Sequence, residues 1–234
     1  MHRPNPGSGW CVAVRLPCFR LAAALRHTVG PDLSAFLVER GGRRRVLEAT
    51  AAATAVGVRP GMTVREATRL APRAAVVLDD PVRAARAWGR VMNVLARLPG
   101  ALGDGGPGLA YVRVPAGDAA ERWFGLVRRA FDPLGLAVRC GAGSTRFVAF
   151  VAAHREADAV CPPGREAAFV ADAPLELLGL GEDDLLRLRL IGVRTLGQLG
   201  ALPPGALARF GADALRWNAL ARGQDEPEAA AGVW

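Results

Sequence analysis

The feature that most constrains this chain is a change of periodicity two-thirds of the way along it. Up to about residue 155, short alternating apolar runs take turns with stretches of helical periodicity; after the Pro/Gly-rich segment AVCPPGREA (159–167) the strand signals stop. Residues 167–222 then read as a string of short helices. Such an order describes an α+β part, with helices covering one face of a sheet, followed by an all-helical part, and the boundary falls near 160–166.

Within the first part, WCVAVRL (10–16) reads as a buried strand, and Pro17 then opens CFRLAAALRH, a helix with Phe19, Leu21 and Leu25 on its apolar side. AFLVE and RRVLEA flank Arg40-Gly41-Gly42 and predict a hairpin. TAAATAV is a short helix that stops at Gly57. In GVRPGMTVREATRLAP two glycines fix a turn, Thr63 and Glu66 form a capping box, and Pro72 closes the helix. AAVVL (74–78) is a further strand.

The segment from Pro81 to Gly100 has strong helical periodicity: Arg83, Arg86, Arg90 and Arg97 share one side, and Trp88, Val91, Met92, Leu95 and Leu98 the other. The arginine stripe fits a solvated face or a rail for phosphates. GPGLAYVRV (106–114) alternates as a half-buried strand. Asp118 and Glu121 then cap the helix DAAERWFGLVRRAF, and GLAVRC is a strand that leads through GAGST into the helix RFVAFVAAHRE.

Composition narrows the partner. The 30 basic residues are all arginine, against 22 acidic ones, for a net charge of +8. A surplus of guanidinium groups favours a polyanion, and nucleic acid is the first candidate. The mean hydropathy is +0.17, yet no long apolar run free of charge occurs, which argues against a membrane span. MHRPNPGSGW has no apolar signal-peptide core, so a cytoplasmic location is expected and the first nine residues are expected to be disordered. Cys11, Cys18, Cys140 and Cys161 lack the spacing of a zinc site or a disulfide framework and read as reduced, mostly buried thiols. No cofactor or metal is expected.

In the helical part, LLRLRLIGVRTLGQLGAL sets Ile191-Gly192-Val193 between two short helices with Thr195 as the cap of the second. This is a helix-hairpin-helix pattern, whose backbone N–H groups can bind a DNA phosphate without reading a base. Ile191, Gly192, Val193, Arg194 and Thr195 are therefore candidate DNA contacts.

The order of GVRPGM, GLAYVRV, CGAGSTRFVAFVAA, IGVRTLGQL, RFG and LARGQDEP resembles Y-family DNA polymerases, the DinB/UmuC group, over nearly the whole chain. The resemblance implies a palm sheet covered by helices (10–18 and 74–164), a small fingers insertion (19–73) and an all-helical thumb (166–227), with a tail at 228–234. It also implies that the chain ends where the family's little-finger domain would begin.

That family holds two divalent metals with carboxylates on neighbouring strands. Its D-x-D-x-F strand matches R-L-P-C-F here, which places Arg15 and Pro17 at the acidic positions and keeps Phe19. Its S-x-D-E-A-Y-L-D strand matches GPGLAYVR, which places Gly108 and Leu109 at the Asp-Glu pair and Arg113 at the last Asp. The family's nucleotide-holding Tyr and Arg fall on Ala51 and Thr54, and in the G-x-G-x-N-K segment Arg146 retains a positive charge and joins the candidate DNA contacts. Asp79 and Asp80 at a strand end, and Asp104 in a Gly-rich loop, read as solvated acids, because neighbouring strand residues face opposite ways.

The departures at the acidic positions, together with LGALPPGALARFG and R-G-x-D-E-P, are similar to the non-catalytic ImuB type of the family. The expectation is therefore a catalytically inactive homologue, not an enzyme. It would bind DNA weakly through phosphates in repair, translesion synthesis or the SOS response, as an adaptor with a catalytic error-prone polymerase subunit and a RecA-like protein. Two other readings stand beside it: an active translesion polymerase with migrated metal ligands, and a protein-interaction scaffold without a DNA function.

Overall fold

A computed structural model describes residues 9–26, 29–30, 32–41, 44–115, 118–211 and 213–225. The tails expected at 1–9 and 228–234, apart from residue 9, lie outside them, as do Gly42 of the hairpin and Glu226 and Pro227 of the last motif. The chain runs β1 (Cys11–Arg15), α1 (Phe19–Leu25), β2 (Ala35–Val38), β3 (Val46–Ala49), α2 (Ala51–Ala55), α3 (Val64–Leu70), β4 (Ala75–Leu78) and α4 (Pro81–Leu95). It continues through β5 (Ala101–Asp104), β6 (Leu109–Arg113), α5 (Ala120–Phe131), β7 (Arg139–Gly143), α6 (Arg146–Ala153) and β8 (Ala159–Val160). Five short helices follow: α7 (Glu166–Val170), α8 (Glu182–Leu190), α9 (Leu196–Gly200), α10 (Pro204–Leu207) and α11 (Ala214–Ala221).

The larger sheet has the order β5-β6-β1-β7-β8, with β1 antiparallel to both neighbours. Strand alternation divides its side chains. Val12, Val14, Ala110, Val112, Cys140 and Ala142 face a core completed by Trp88, Val91 and Leu95 of α4 and by Trp123, Val127 and Phe131 of α5. Fully burying a side chain the size of Phe131 contributes about 1.5–3 kcal/mol, so these two amphipathic helices fix that face. The opposite face carries Cys11, Ala13 and Tyr111 under Ala149 and Ala153 of α6. There β7 and α6 touch backbone to backbone: a Cβ added at Gly141 would lie 2.1 Å from the nitrogen of Ala153 and 2.5 Å from the oxygen of Ala149.

The smaller sheet has the order β3-β2-β4. Phe36, Val38 and Val46 face Ala53, Val58 and Ala67, and Leu37 faces Leu21 of α1 on the other side. β4, which the sequence groups with 74–164, pairs in parallel with β2. The capping box forms as expected: the Thr63 side chain accepts from the Glu66 N–H while the Glu66 carboxylate accepts from the Thr63 N–H. Gly57 and Gly61 take φ of 101° and 89°, conformations that side chains other than glycine rarely adopt.

Three local expectations need correction. Asp104 ends strand β5 and does not sit in a loop. Asp118 does not cap α5; Ala119 occupies that position without a side-chain bond, and Asp118 pairs with Arg122 at 3.4 Å. A two-residue strand, β8, forms inside the break at 159–167 and extends the sheet alongside β7. Beyond it the described residues contain no strand. The helices from Glu166 onward gather around Val170, Leu175, Leu188, Leu196 and Leu199, a core that also takes in Phe147, Val148 and Val151 of α6.

Candidate active-site cleft

The residues aligned with the acidic positions meet at one end of the larger sheet. Arg15, the last residue of β1, lies directly opposite Leu109 on β6 and Arg139 on β7. The chain then leaves β1 through Leu16, whose N–H donates to the Gly108 oxygen at 2.8 Å. Gly108 has φ of 99°, and a Cβ there would lie 3.1 Å from Cβ of Phe19, so both backbone and space favour glycine at this point. Cys18 adopts φ of 53° and turns the chain into α1.

A cleft of about 270 Å³ opens at this junction, lined by Arg15, Cys18, Gly108 and Leu109 of the larger sheet and its exit, by Glu48 of β3 and by His154 after α6. Three of these, Cys18, Glu48 and His154, were not singled out from the sequence. Glu48 had a readable sign, a carboxylate inside the apolar run VLEA.

Burial, above all, raises the pKa of Glu48, against the N–H groups of Leu21 and Arg20, which donate to its two oxygens at 2.9 and 3.4 Å. Burial lowers the pKa of Arg15, and the charge of Arg139 adds to that effect, whereas Glu48 opposes it. The Cys18 thiol, which donates to the Ala49 oxygen at 3.3 Å, is pushed up to about 11 by burial and then by Glu48. His154 is held down to about 4 by burial and then by Arg15, so it is neutral at physiological pH.

Other candidates lie elsewhere. Ala51 and Thr54 sit on α2 and do not line the cleft; the Thr54 oxygen accepts from Arg59 at 2.5 Å. Pro17 lies in the turn after β1, outside the lining. Arg146 starts α6 and sets its guanidinium 4.2 Å from the centre of the Tyr111 ring, a cation–π contact.

The acids read as solvated are engaged. Asp79 is 4% exposed and paired with Arg20, and Asp80 caps α4 by accepting the Arg83 N–H at 3.0 Å. Asp104 accepts from the indole N–H of Trp88 at 2.8 Å and from Gly106 at 2.7 Å.

A turn with Gly192 at φ of 85° joins α8 to α9. Ile191, Gly192 and Arg194 are exposed and Val193 is buried. Its backbone N–H groups already have partners within the chain. Gly192 and Val193 donate to the oxygens of Arg189 and Leu188, Leu196 and Gly197 to those of Ala173 and Ala171. The N–H groups of Arg194 and Thr195 both reach Oε1 of Gln198, at 2.7 and 3.2 Å.

A sheet flanked by α4, α5 and α6, a small second sheet and a run of short helices make up the fold of Y-family DNA polymerases. The fold is similar to the crystal structure of DinB from Sulfolobus solfataricus, with a TM-score of 0.71 at 20% identity, covering 93% of this chain and 68% of that one. It matches equally well the insertion ternary complex of Dbh DNA polymerase, with a TM-score of 0.71 and 69% of that chain covered.

The chain belongs to the impB/mucB/samB family, whose model matches residues 31–154. Among curated proteins it is 28% identical to DNA polymerase IV of Dehalococcoides mccartyi, over 77% of this chain and 50% of that one. It is also 28% identical to DNA polymerase IV 2 of Mycobacterium tuberculosis, over 99% of this chain and 70% of that one. The chain thus spans half the length of the Dehalococcoides relative. These relatives are known as DNA polymerases, and that overturns the expectation of a chain that is not an enzyme.

The family's chemistry calls for divalent cations. Among the described residues no group of three or more His, Cys, Asp or Glu side chains is arranged to hold one. In the cleft the Glu48 oxygens already accept two N–H groups, and the Arg15 side chain lines the same wall. This donor set does not fit a two-metal site.

Proposed function

We propose that this chain acts on primed DNA as an error-prone translesion DNA polymerase of the DinB/UmuC class, in DNA repair and damage tolerance. What supports it above the rest is that relatives matched over 77% and 99% of this chain are named DNA polymerase IV and DNA polymerase IV 2, while Arg15, Gly108 and Leu109, at the family's acidic positions, line one cleft between the two sheets. In this reading residues 10–18 and 74–164 work as palm, 19–73 as fingers and 166–227 as thumb. The cleft receives the incoming nucleotide, with its phosphates toward Arg15. Duplex phosphates lie along exposed arginines such as Arg86, Arg90 and Arg97, and at the 191–195 hairpin once Gln198 gives up its two N–H groups. Contacts of this kind make affinity fall steeply with salt. In this reading the protein works on DNA in the cytoplasm.

The test is extension of a labelled primer on undamaged and lesion-bearing templates by the purified chain, with Mg²⁺ or Mn²⁺ and all four nucleotides. Extension of the primer is the expected result. A folded protein that binds primer-template at low salt and extends nothing refutes the polymerase reading.

A further inference from the structure

We infer that the cleft binds the phosphates of a nucleoside triphosphate directly through Arg15 and Arg139, without a divalent cation. The inference rests on the reading of the cleft as the nucleotide site, and it starts from a charge arrangement that is unfavourable as it stands. Arg15 and Arg139 are direct cross-strand partners between β1 and β7. Partners of this kind set their Cβ atoms about 5 Å apart on one face, where like charges destabilise a sheet.

Neither guanidinium is neutralised. No carboxylate lies within ion-pair distance of Arg15 or Arg139 among the described residues; Arg139 has only the oxygen of Val138, at 3.4 Å. Glu48 is the acid of the cleft wall, and both its oxygens are turned to the N–H groups of Arg20 and Leu21. His154 adds no competing charge, since burial and then Arg15 hold its pKa down to about 4, and its ring packs on Phe150. Arg15 lines the cleft of about 270 Å³, and Arg139, outside that lining, is its neighbour across the β1–β7 pair; two adjacent cations so placed call for an anion with several oxygens. A triphosphate supplies them, and guanidinium forks match phosphate oxygens two at a time. Arg15 therefore stands on the wall at a position where the family carries an acid and brings positive charge to the phosphates itself.

The experiment is calorimetric titration of the whole chain with deoxynucleoside triphosphate and with inorganic tripolyphosphate, in EDTA and in Mg²⁺, with primed DNA titrated in parallel. Binding of both small ligands in EDTA is expected, weakened at least about tenfold by Arg139→Gln and by Arg15→Met, the loss of one charge-assisted hydrogen bond. Arg139 is exposed, so its variant keeps the test sound even if Arg15→Met unfolds the chain. Triphosphate binding that demands Mg²⁺ overturns the inference and leaves the proposed function standing. The inference also fails if primed DNA alone binds in EDTA and is weakened by these substitutions, since the phosphates are then those of the nucleic-acid backbone. Binding of neither nucleotide nor primed DNA removes the proposed function, and the inference with it.

Discussion

The carboxylate of Asp225 accepts the backbone N–H of Phe147 at 3.1 Å, across a separation of 78 residues. It thereby caps α6 together with Thr145, whose hydroxyl oxygen accepts the Val148 N–H at 3.2 Å. The first turn of a helix leaves N–H groups without intrahelical partners, and here a residue beyond the last helix satisfies one of them. The last described segment is thus tied to the helix that covers the large sheet.

Replacing Asp225 by Ala should lower stability by about 1 kcal/mol, the usual loss for an N-terminal helix cap, while Asp225→Asn keeps most of it. Urea denaturation of the three proteins checks this. Equal midpoints for the Ala and wild-type chains would show that the contact contributes nothing.

Gly141→Ala should destabilise by about 3 kcal/mol, at the upper end of overpacking penalties, because the atoms its Cβ would meet are backbone atoms of α6 and cannot swing aside. Gly61→Ala is the informative control. Its Cβ meets nothing within 4 Å, and only the backbone conformation at φ of 89° opposes it, for a cost of about 1 kcal/mol. Thermal melts that rank the two the other way would mean that α6 does not sit so close to β7.

Asp79 is buried and its partner Arg20 is about one-third exposed. The Nε of Arg20 also reaches the carboxylate at 3.3 Å, and Arg40 donates to the Asp79 backbone oxygen at 2.6 Å. Asp79→Ala should cost about 2 kcal/mol, less than the loss of a fully buried pair since Arg20 can turn to water. Arg20→Ala should cost more than Asp79→Asn, because it leaves a buried carboxylate without its guanidinium partner. A double-mutant cycle in urea measures the coupling, and a coupling near zero would sink the pair as a stabilising contact.

His154 gives the protein a pH-dependent term of known sign. Its folded pKa of about 4 lies below the unfolded value of 6.5, so the unfolded chain takes up a proton first as the pH falls. The stabilisation it provides is complete above pH 6.5 and is lost between 6.5 and about 4. His154→Gln should flatten that limb of the stability curve, and the ring proton shifts of His154 followed by NMR should titrate near 4. A midpoint above 6 would show that the ring is not buried against the Phe150 ring as described.

Much of the local structure was legible because its causes are local. Thr63 and Glu66 close their capping box within one turn, and the spacing of Trp88, Val91 and Leu95 gives α4 its buried stripe whatever it packs against. The acids were misread for the opposite reason. Asp79 and Asp104 look alike in sequence, carboxylates at the end of an apolar run, one two residues before Pro81 and the other between Gly103 and Gly105. Their partners, Arg20 on α1 and Trp88 on α4, lie 59 and 16 residues away and become neighbours only when these helices pack on the sheets. Cys18, Glu48 and His154 share a cleft wall for the same reason.

From its sequence alone, this chain determined an arginine-rich, α+β-then-helical protein with polymerase-like strand motifs whose acidic positions hold Arg15, Pro17, Gly108 and Leu109. Those properties depend on residue type and on spacings within a turn or a strand. Only the tertiary structure decided that Arg15 stands against Arg139, that Asp79 pairs with Arg20 and that Asp225 closes α6. Strand register and long-range packing set these relations. A shift of one residue in the pairing of β1 with β7 would turn Arg139 to the other face, and no local pattern in either strand records which register the folded sheet takes.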